Sequence, residues 1–166
     1  RIVMQANDMK PLAPRDLPAI MRVQRASYRP SLIEPPEAFL SKMSLFPMGA
    51  WGHLSDGELA AYIVCVPGTC NDIYPLGSVT ASLPDRPDHL YIHDLAVHPA
   101  HRGHGIADRL IHQAESVAAE FGHRRIALTS VQGSEQFWVC HGFEHVRWLE
   151  YAPGEPAAYM VKTSEL

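Results

Sequence analysis

The sequence predicts a mixed α/β domain built on one central sheet. Three observations carry that expectation. From residue 90 onward, apolar runs of strand length alternate with runs of helical period. Earlier, two apolar runs, 50–54 and 58–66, flank Ser55-Asp56-Gly57, and Asp-Gly between apolar runs signals a hairpin. Composition does not change along the chain, so residues 1–166 read as one domain, and a 46% hydrophobic content suffices for its core.

The elements follow in chain order. Ile2–Gln5 is short and apolar and reads as a first strand. Pro14-Arg15-Asp16 opens a helix reaching about Ser27, with Leu17, Ile20, Met21 and Val23 as its apolar stripe. Residues 28–36 are irregular because Pro30, Pro35 and Pro36 interrupt them. Glu37–Leu45 reads as a second helix with Phe39, Leu40 and Met43 on one face. The hairpin strands Ala50–Leu54 and Glu58–Val66 come next. Residues 67–87 are rich in Gly, Pro, Asn, Asp and Ser and form a long loop placed to cover a substrate.

Leu90–Val97 has the content of a strand buried on both faces, and Pro99 ends it. A third helix starts at Ile106, repeats apolar residues through Phe121 and stops at Gly122. Arg125–Ser130 is a strand and Ser134–His141 a short helix. Phe143–Leu149 and Ala157–Lys162 complete the sheet.

Charge and cysteine content exclude several functions. A net charge of −4 leaves no basic footprint for nucleic acid, and it favours a cationic substrate over an anionic one. Cys65, Cys70 and Cys140 have neither metal-ligand nor disulfide spacing, and an odd count fits a reducing cytoplasm. No apolar run approaches a membrane span and no targeting segment stands out, so no membrane partner is expected.

Chemistry concentrates between residues 90 and 107. Arg102-Gly103-His104-Gly105-Ile106-Ala107 joins a buried strand to a helix. Glycines there let successive N–H groups converge, and the helix start adds free donors and partial positive charge. The arrangement seats a phosphate, with Arg102 as charged partner. A P-loop is excluded because Gly-Lys-Ser/Thr is absent. His98, His101 and His104 recur every three residues, but a loop without Cys ligands reads as solvated or phosphate-adjacent imidazoles, so no metal is expected.

Arg102-x-x-Gly105-x-Ala107 resembles the Arg/Gln-x-x-Gly-x-Gly/Ala motif of the GCN5-related N-acetyltransferases. Phe137-Trp138-Val139-Cys140-His141-Gly142-Phe143 is similar to the Phe-Tyr-x-x-x-Gly-Phe segment of that family. His93–His98 is most similar to the arylalkylamine N-acetyltransferase branch. The resemblance implies a mixed, mostly antiparallel sheet of about six to seven strands flanked by about four helices. It implies acetyl-coenzyme A as cosubstrate, its pyrophosphate on Arg102 and the Gly103, His104, Gly105, Ile106 and Ala107 backbone. It also implies that the main chain of Leu95, Ala96 and Val97 holds the pantetheine arm and faces the thioester oxygen. The first two helices and their loop would wall the acceptor site.

Acetyl transfer from a thioester to an amine sets three demands. Holding both substrates together supplies roughly 7–11 kcal/mol of the barrier. An alkylammonium with a pKa near ~10 must lose a proton. The oxyanion and departing thiolate must be stabilised. His93 falls on the position of a catalytic histidine in the arylalkylamine branch and is the candidate base, the alternative being a packed core histidine. Tyr91 replaces the branch's second histidine. Strand alternation places Tyr91, His93, Leu95 and Val97 on one face and Asp94 on the other, which makes Asp94 structural. Trp138 stands where the family usually has a tyrosine acid. Indole cannot act as an acid here, so Phe137 and Trp138 are expected to pack beside the cofactor.

The expected activity is transfer of acetyl from acetyl-coenzyme A to a small amine, aromatic amines included, by direct attack in a ternary complex. A monomer or homodimer satisfies it. The rivals are a non-catalytic acyl-coenzyme A sensor, favoured by Trp138, and an enzyme acting on a protein amine. An enclosed acceptor pocket favours the small amine and an open groove the peptide.

Overall fold

The structure, a computed structural model, describes residue 5 and residues 8–165. Its core is a seven-stranded sheet. In chain order the elements are β1 (Met9–Pro11), α1 (Leu17–Ser27), α2 (Pro36–Leu45), β2 (Ala50–Ser55), β3 (Glu58–Gly68), β4 (His89–Val97), α3 (Ile106–Glu120), β5 (Arg125–Ser130), α4 (Glu135–Cys140), β6 (Glu144–Ala152) and β7 (Glu155–Thr163). The sheet order is β1-β2-β3-β4-β5-β7-β6. Every pairing is antiparallel except β4 with β5, so the mixed, mostly antiparallel expectation holds.

Strand alternation divides the core between the two faces. Tyr62 and Val64 of β3 pack with Ile20 and Val23 of α1 and with Phe39 and Met43 of α2. Ala61, Ile63 and Cys65 pack with Leu110, Ile111, Ala114 and Val117 of α3. Leu110 and Ile111 are almost fully buried, each contributing roughly 1.5–3 kcal/mol. Among the described residues no helix is long and apolar enough to cross a membrane.

Several boundaries differ from the sequence expectation. The strand expected at Ile2–Gln5 lies outside the described residues apart from Gln5, which is irregular. Met9–Pro11 pairs with β2 instead. Helix α1 begins at Leu17 after a 3-10 turn, in which Asp16 accepts the Ala13 N–H. The last two strands run longer than expected. Pro156 hides this in the sequence, but β5 pairs with β7 only up to Ala158, so the missing N–H costs no ladder bond to β5.

Two features of β4 position the site. It pairs with β5 only over Leu90–Ile92, although both strands continue, so they splay apart. The β3–β4 register also slips: Val64 faces Asp94 while Cys65 faces Ile92, leaving His93 as the extra residue of a bulge. The bulge overturns the alternation argument. His93 meets Glu34 and Phe39, and Asp94 meets Tyr28 and Tyr62, all from the α1–α2 side or its core.

Candidate active site

A cavity of about 600 Å³ occupies the splay between β4 and β5. Arg102, Gly103, Gly105, Ile106 and Ala107 line one end, Leu95–Val97, Thr129, Phe137 and Trp138 the middle, and Tyr28, Leu32, Glu34, Leu76, His93, Asp94 and Tyr151 the other end. Of the residues expected from sequence, Tyr91 and His104 do not line it. The Tyr91 hydroxyl lies 2.7 Å from Thr129 Oγ1, and its ring packs on Tyr74.

The first end gathers free hydrogen-bond donors. Gly103 and Gly105 hold φ of +82° and +78°, a left-handed backbone that glycine adopts without strain. They bring the chain into α3, whose first backbone bond runs from Arg109 N to Gly105 O. The preceding helical N–H groups therefore have no intrahelical acceptor. Arg102 is exposed and anchored by its Nε donating to Val97 O at 3.0 Å. Its Nη groups make no hydrogen bond to the described residues.

The middle presents backbone. His98 N donates to Ala60 O, and Ala96 faces Tyr62 in the ladder. In an antiparallel ladder alternate residues turn their N–H and C=O to the same neighbour, so Ala96 bonds toward β3 and Leu95 and Val97 turn to the open side. Their carbonyls are used: Tyr28 donates to Leu95 O at 2.9 Å and Arg102 to Val97 O. Two N–H groups remain along the cleft, from Leu95 and Val97. Trp138 is 7% exposed and meets Phe137 and Phe143 edge to face at centroid distances of 5.0 and 5.2 Å.

The far end carries the polar chemistry. His93 Nε2 lies 2.9 Å from each oxygen of Glu34. Burial raises the Glu34 carboxyl, but His93, the Gly77 N–H and Lys42 outweigh it and hold it below its usual range. Glu34 is thus an ionised acceptor, and His93 Nε2 donates to it. His93 Nδ1 is buried with no partner. Beside it, Asp94 accepts from the hydroxyls of Tyr28 and Tyr62. Burial, with the nearby Glu34 charge, pushes the Asp94 carboxyl up to about 6 against both tyrosine bonds. Burial and the Asp94 charge in turn raise Tyr28 and Tyr62 well above the usual phenol value.

The loop after β3 roofs this end. Gly77 N donates to Glu34, Lys42 Nζ to Ser78 O and Thr80 N to Ser41 Oγ, tying it to α2 and the α1–α2 connection. Tyr151 donates to Tyr74 O and Arg147 to Asn71 O, tying it to β6. The roof therefore spans both walls of the cleft.

Glu34, Tyr28, Tyr151 and Leu76 are missing from the sequence reading. Glu34 carried one weak sign, a lone acid between Leu32-Ile33 and Pro35-Pro36. His98, His101 and His104 gather no metal cluster; no group of three His, Cys, Asp or Glu side chains among the described residues is placed to hold an ion.

The cleft fits acetyl-coenzyme A. Free helix donors and an available guanidinium suit a pyrophosphate, and two strand N–H groups suit an amide-bearing arm. That combination suits a protein that binds an acyl-coenzyme A. The family model of the acetyltransferase (GNAT) family matches residues 17–143, and the chain belongs to that family. It is an acetyl-coenzyme A acetyltransferase of the GNAT type.

Solved structures repeat the fold. The loading GNATL domain of CurA from Lyngbya majuscula superposes with a TM-score of 0.80 at 12% identity, covering 93% of this chain and 96% of that one. Ard1 from Thermoplasma volcanium gives 0.75 at 16% identity, covering 95% and 97%. The PaiA N-acetyltransferase from Thermoplasma acidophilum, in complex with coenzyme A, gives 0.70 at 16% identity, covering 93% and 97%. A search of curated proteins by sequence returned no relative.

Proposed function

We propose that this protein transfers an acetyl group from acetyl-coenzyme A to a small primary amine, aromatic amines included, by direct attack in a ternary complex. When bound, acetyl-coenzyme A supplies the activated acetyl group. Arg102 and the Gly103–Ala107 backbone would hold its pyrophosphate, and the Leu95 and Val97 N–H groups its pantetheine arm and thioester oxygen. His93 takes the proton of the amine through Nδ1, its unpartnered nitrogen. Tyr91 touches Thr129 rather than the cavity, so in this reading it supports β4 and does not relay protons. The likeness of His93–His98 to the arylalkylamine branch agrees with the small-amine reading.

The single observation that carries the reading is one cavity joining an anion-binding helix end to a buried acid–imidazole pair under a roof tied to both walls. The roof favours a small amine. Solved structures of similar fold include Arabidopsis thaliana Naa50 in complex with the bisubstrate analogue CoA-Ac-MVNAL, so the protein-amine reading is a direct competitor. A panel of 2-phenylethylamine, a linear diamine and an alanine-headed tetrapeptide, each followed by release of free thiol from acetyl-coenzyme A, separates the readings. We expect turnover with a small amine and little with the peptide. Peptide turnover alone would move the assignment to protein amines. Binding of coenzyme A without thiol release from any amine would make the chain a sensor.

A further inference from the structure

We infer that Glu34 is a positioning residue: it fixes the tautomer and orientation of His93 so that Nδ1 carries the lone pair that meets the amine. The inference rests on the proposed role of His93 as base. A free imidazole divides its proton between two nitrogens and presents the wrong one part of the time. Here an ionised carboxylate, which can only accept, sits 2.9 Å from Nε2 through both oxygens. The proton must therefore stay on Nε2, and Nδ1 is left as the acceptor.

The surroundings hold Glu34 as firmly as Glu34 holds the ring. Its N–H donates to Gln24 Oε1 at 2.7 Å and its carbonyl accepts from Gln24 Nε2 at 3.1 Å, Gln24 being fully buried in α1. Its Oε2 accepts the Gly77 N–H at 2.6 Å. Pro35 and Pro36 stiffen the chain beyond it. Phe39 and Tyr91 flank the imidazole at centroid distances of 6.4 and 6.5 Å. When the amine's proton moves to Nδ1, the Nε2–H stays with Glu34, and the imidazolium forms beside an existing negative charge. The Nδ1 proton is lost again once the products have left, restoring the neutral ring.

The proposal is tested on the full chain by nitrogen NMR of histidine-labelled protein, with the His93 signal identified by its loss in His93→Ala. Wild type should show His93 as the Nε2–H tautomer. In Glu34→Gln, which keeps the side chain's size, that single tautomer should give way to a mixture or to the Nδ1–H form. Coenzyme A alone should bind Glu34→Gln as it binds wild type. With the most active panel amine, Glu34→Gln should lower kcat by about tenfold or more, with a smaller change in KM, because orientation of a reacting imidazole is lost. In a His93→Ala background the same change should cost less than about twofold. An Nδ1–H tautomer in wild type would overturn the inference. So would an undiminished effect of Glu34→Gln without His93, which would make Glu34 itself the base. If His93→Ala alone leaves turnover intact while the Nε2–H tautomer is observed, the base reading falls and the orienting contact stands.

Discussion

At the level of single residues, the acceptor end combines an imidazole with two buried carboxyls that have opposite tendencies. Replacing His93 by alanine should lower turnover roughly 10²–10⁴-fold with coenzyme A affinity nearly unchanged. The loss should shrink as pH approaches the amine's own pKa, because more substrate then arrives neutral. A pH–rate profile superimposable on wild type would demote His93 to packing. Asp94 gives a stability test. Its folded carboxyl is raised from 3.8 to about 6, chiefly by burial, so its contribution to stability is present below about 3.8 and is lost as pH rises through about 6. Asparagine has no charge to desolvate. The Asp94→Asn melting temperature, relative to wild type, should therefore rise between pH 4 and pH 8, and a difference constant across that range would contradict the assignment. Glu34 runs the other way: its lowered carboxyl stabilises above 4.5, and that stability is lost as pH falls. His93 stands out in the sequence because it lies in a motif. Glu34 does not, because 59 residues separate the partners and only the fold joins them.

At the level of elements, the sequence showed strand, glycine loop and helix between residues 90 and 120 because each obeys local rules. A continuous apolar run buried on both faces marks β4, positive φ demands Gly103 and Gly105, and a helical stripe marks α3. The bulge in β4 was not visible. It depends on how β3 registers against β4, a pairing between distant segments, and one slipped residue is enough to reverse a facing argument. The helix start yields a direct prediction. Gly105→Asp sets an anion and a side chain at a φ of +78°, where phosphate is to sit. Gly105→Ala adds the backbone strain without the charge. Coenzyme A titration calorimetry should show weaker binding in both variants and far weaker in the aspartate. Undiminished binding by Gly105→Asp would remove the pyrophosphate from this turn.

At the level of the whole molecule, the cleft lies where the sheet comes apart, and the roof loop and one ion pair close it. On one side of the splay stand β1–β4 with α1 and α2, on the other β5–β7 with α4. Arg29 bridges them: its guanidinium pairs with Glu155 of β7, and its N–H donates to Gln132 Oε1 after β5. Arg29 and Ser31 hold the Glu155 carboxyl down at about 2, so this strap keeps its charge until strong acid. None of it was legible in sequence, since the partners are more than a hundred residues apart. A cofactor that reaches from the α3 end through the splay to His93 touches both sides, so its binding should stabilise the fold as a unit. At a ligand concentration of about a hundred times Kd, mass action adds roughly 2.7 kcal/mol. For a domain of this size that corresponds to a rise in Tm of about 5–11 °C. Acetyl-coenzyme A should produce such a rise in a single cooperative transition. At the same concentration, adenosine 3′,5′-bisphosphate, which lacks the pantetheine arm and one phosphate of the pyrophosphate, should produce less, because it engages the helix end without reaching β4 and so has the larger Kd. An equal rise with both ligands would mean that the Leu95 and Val97 N–H groups contribute nothing to binding.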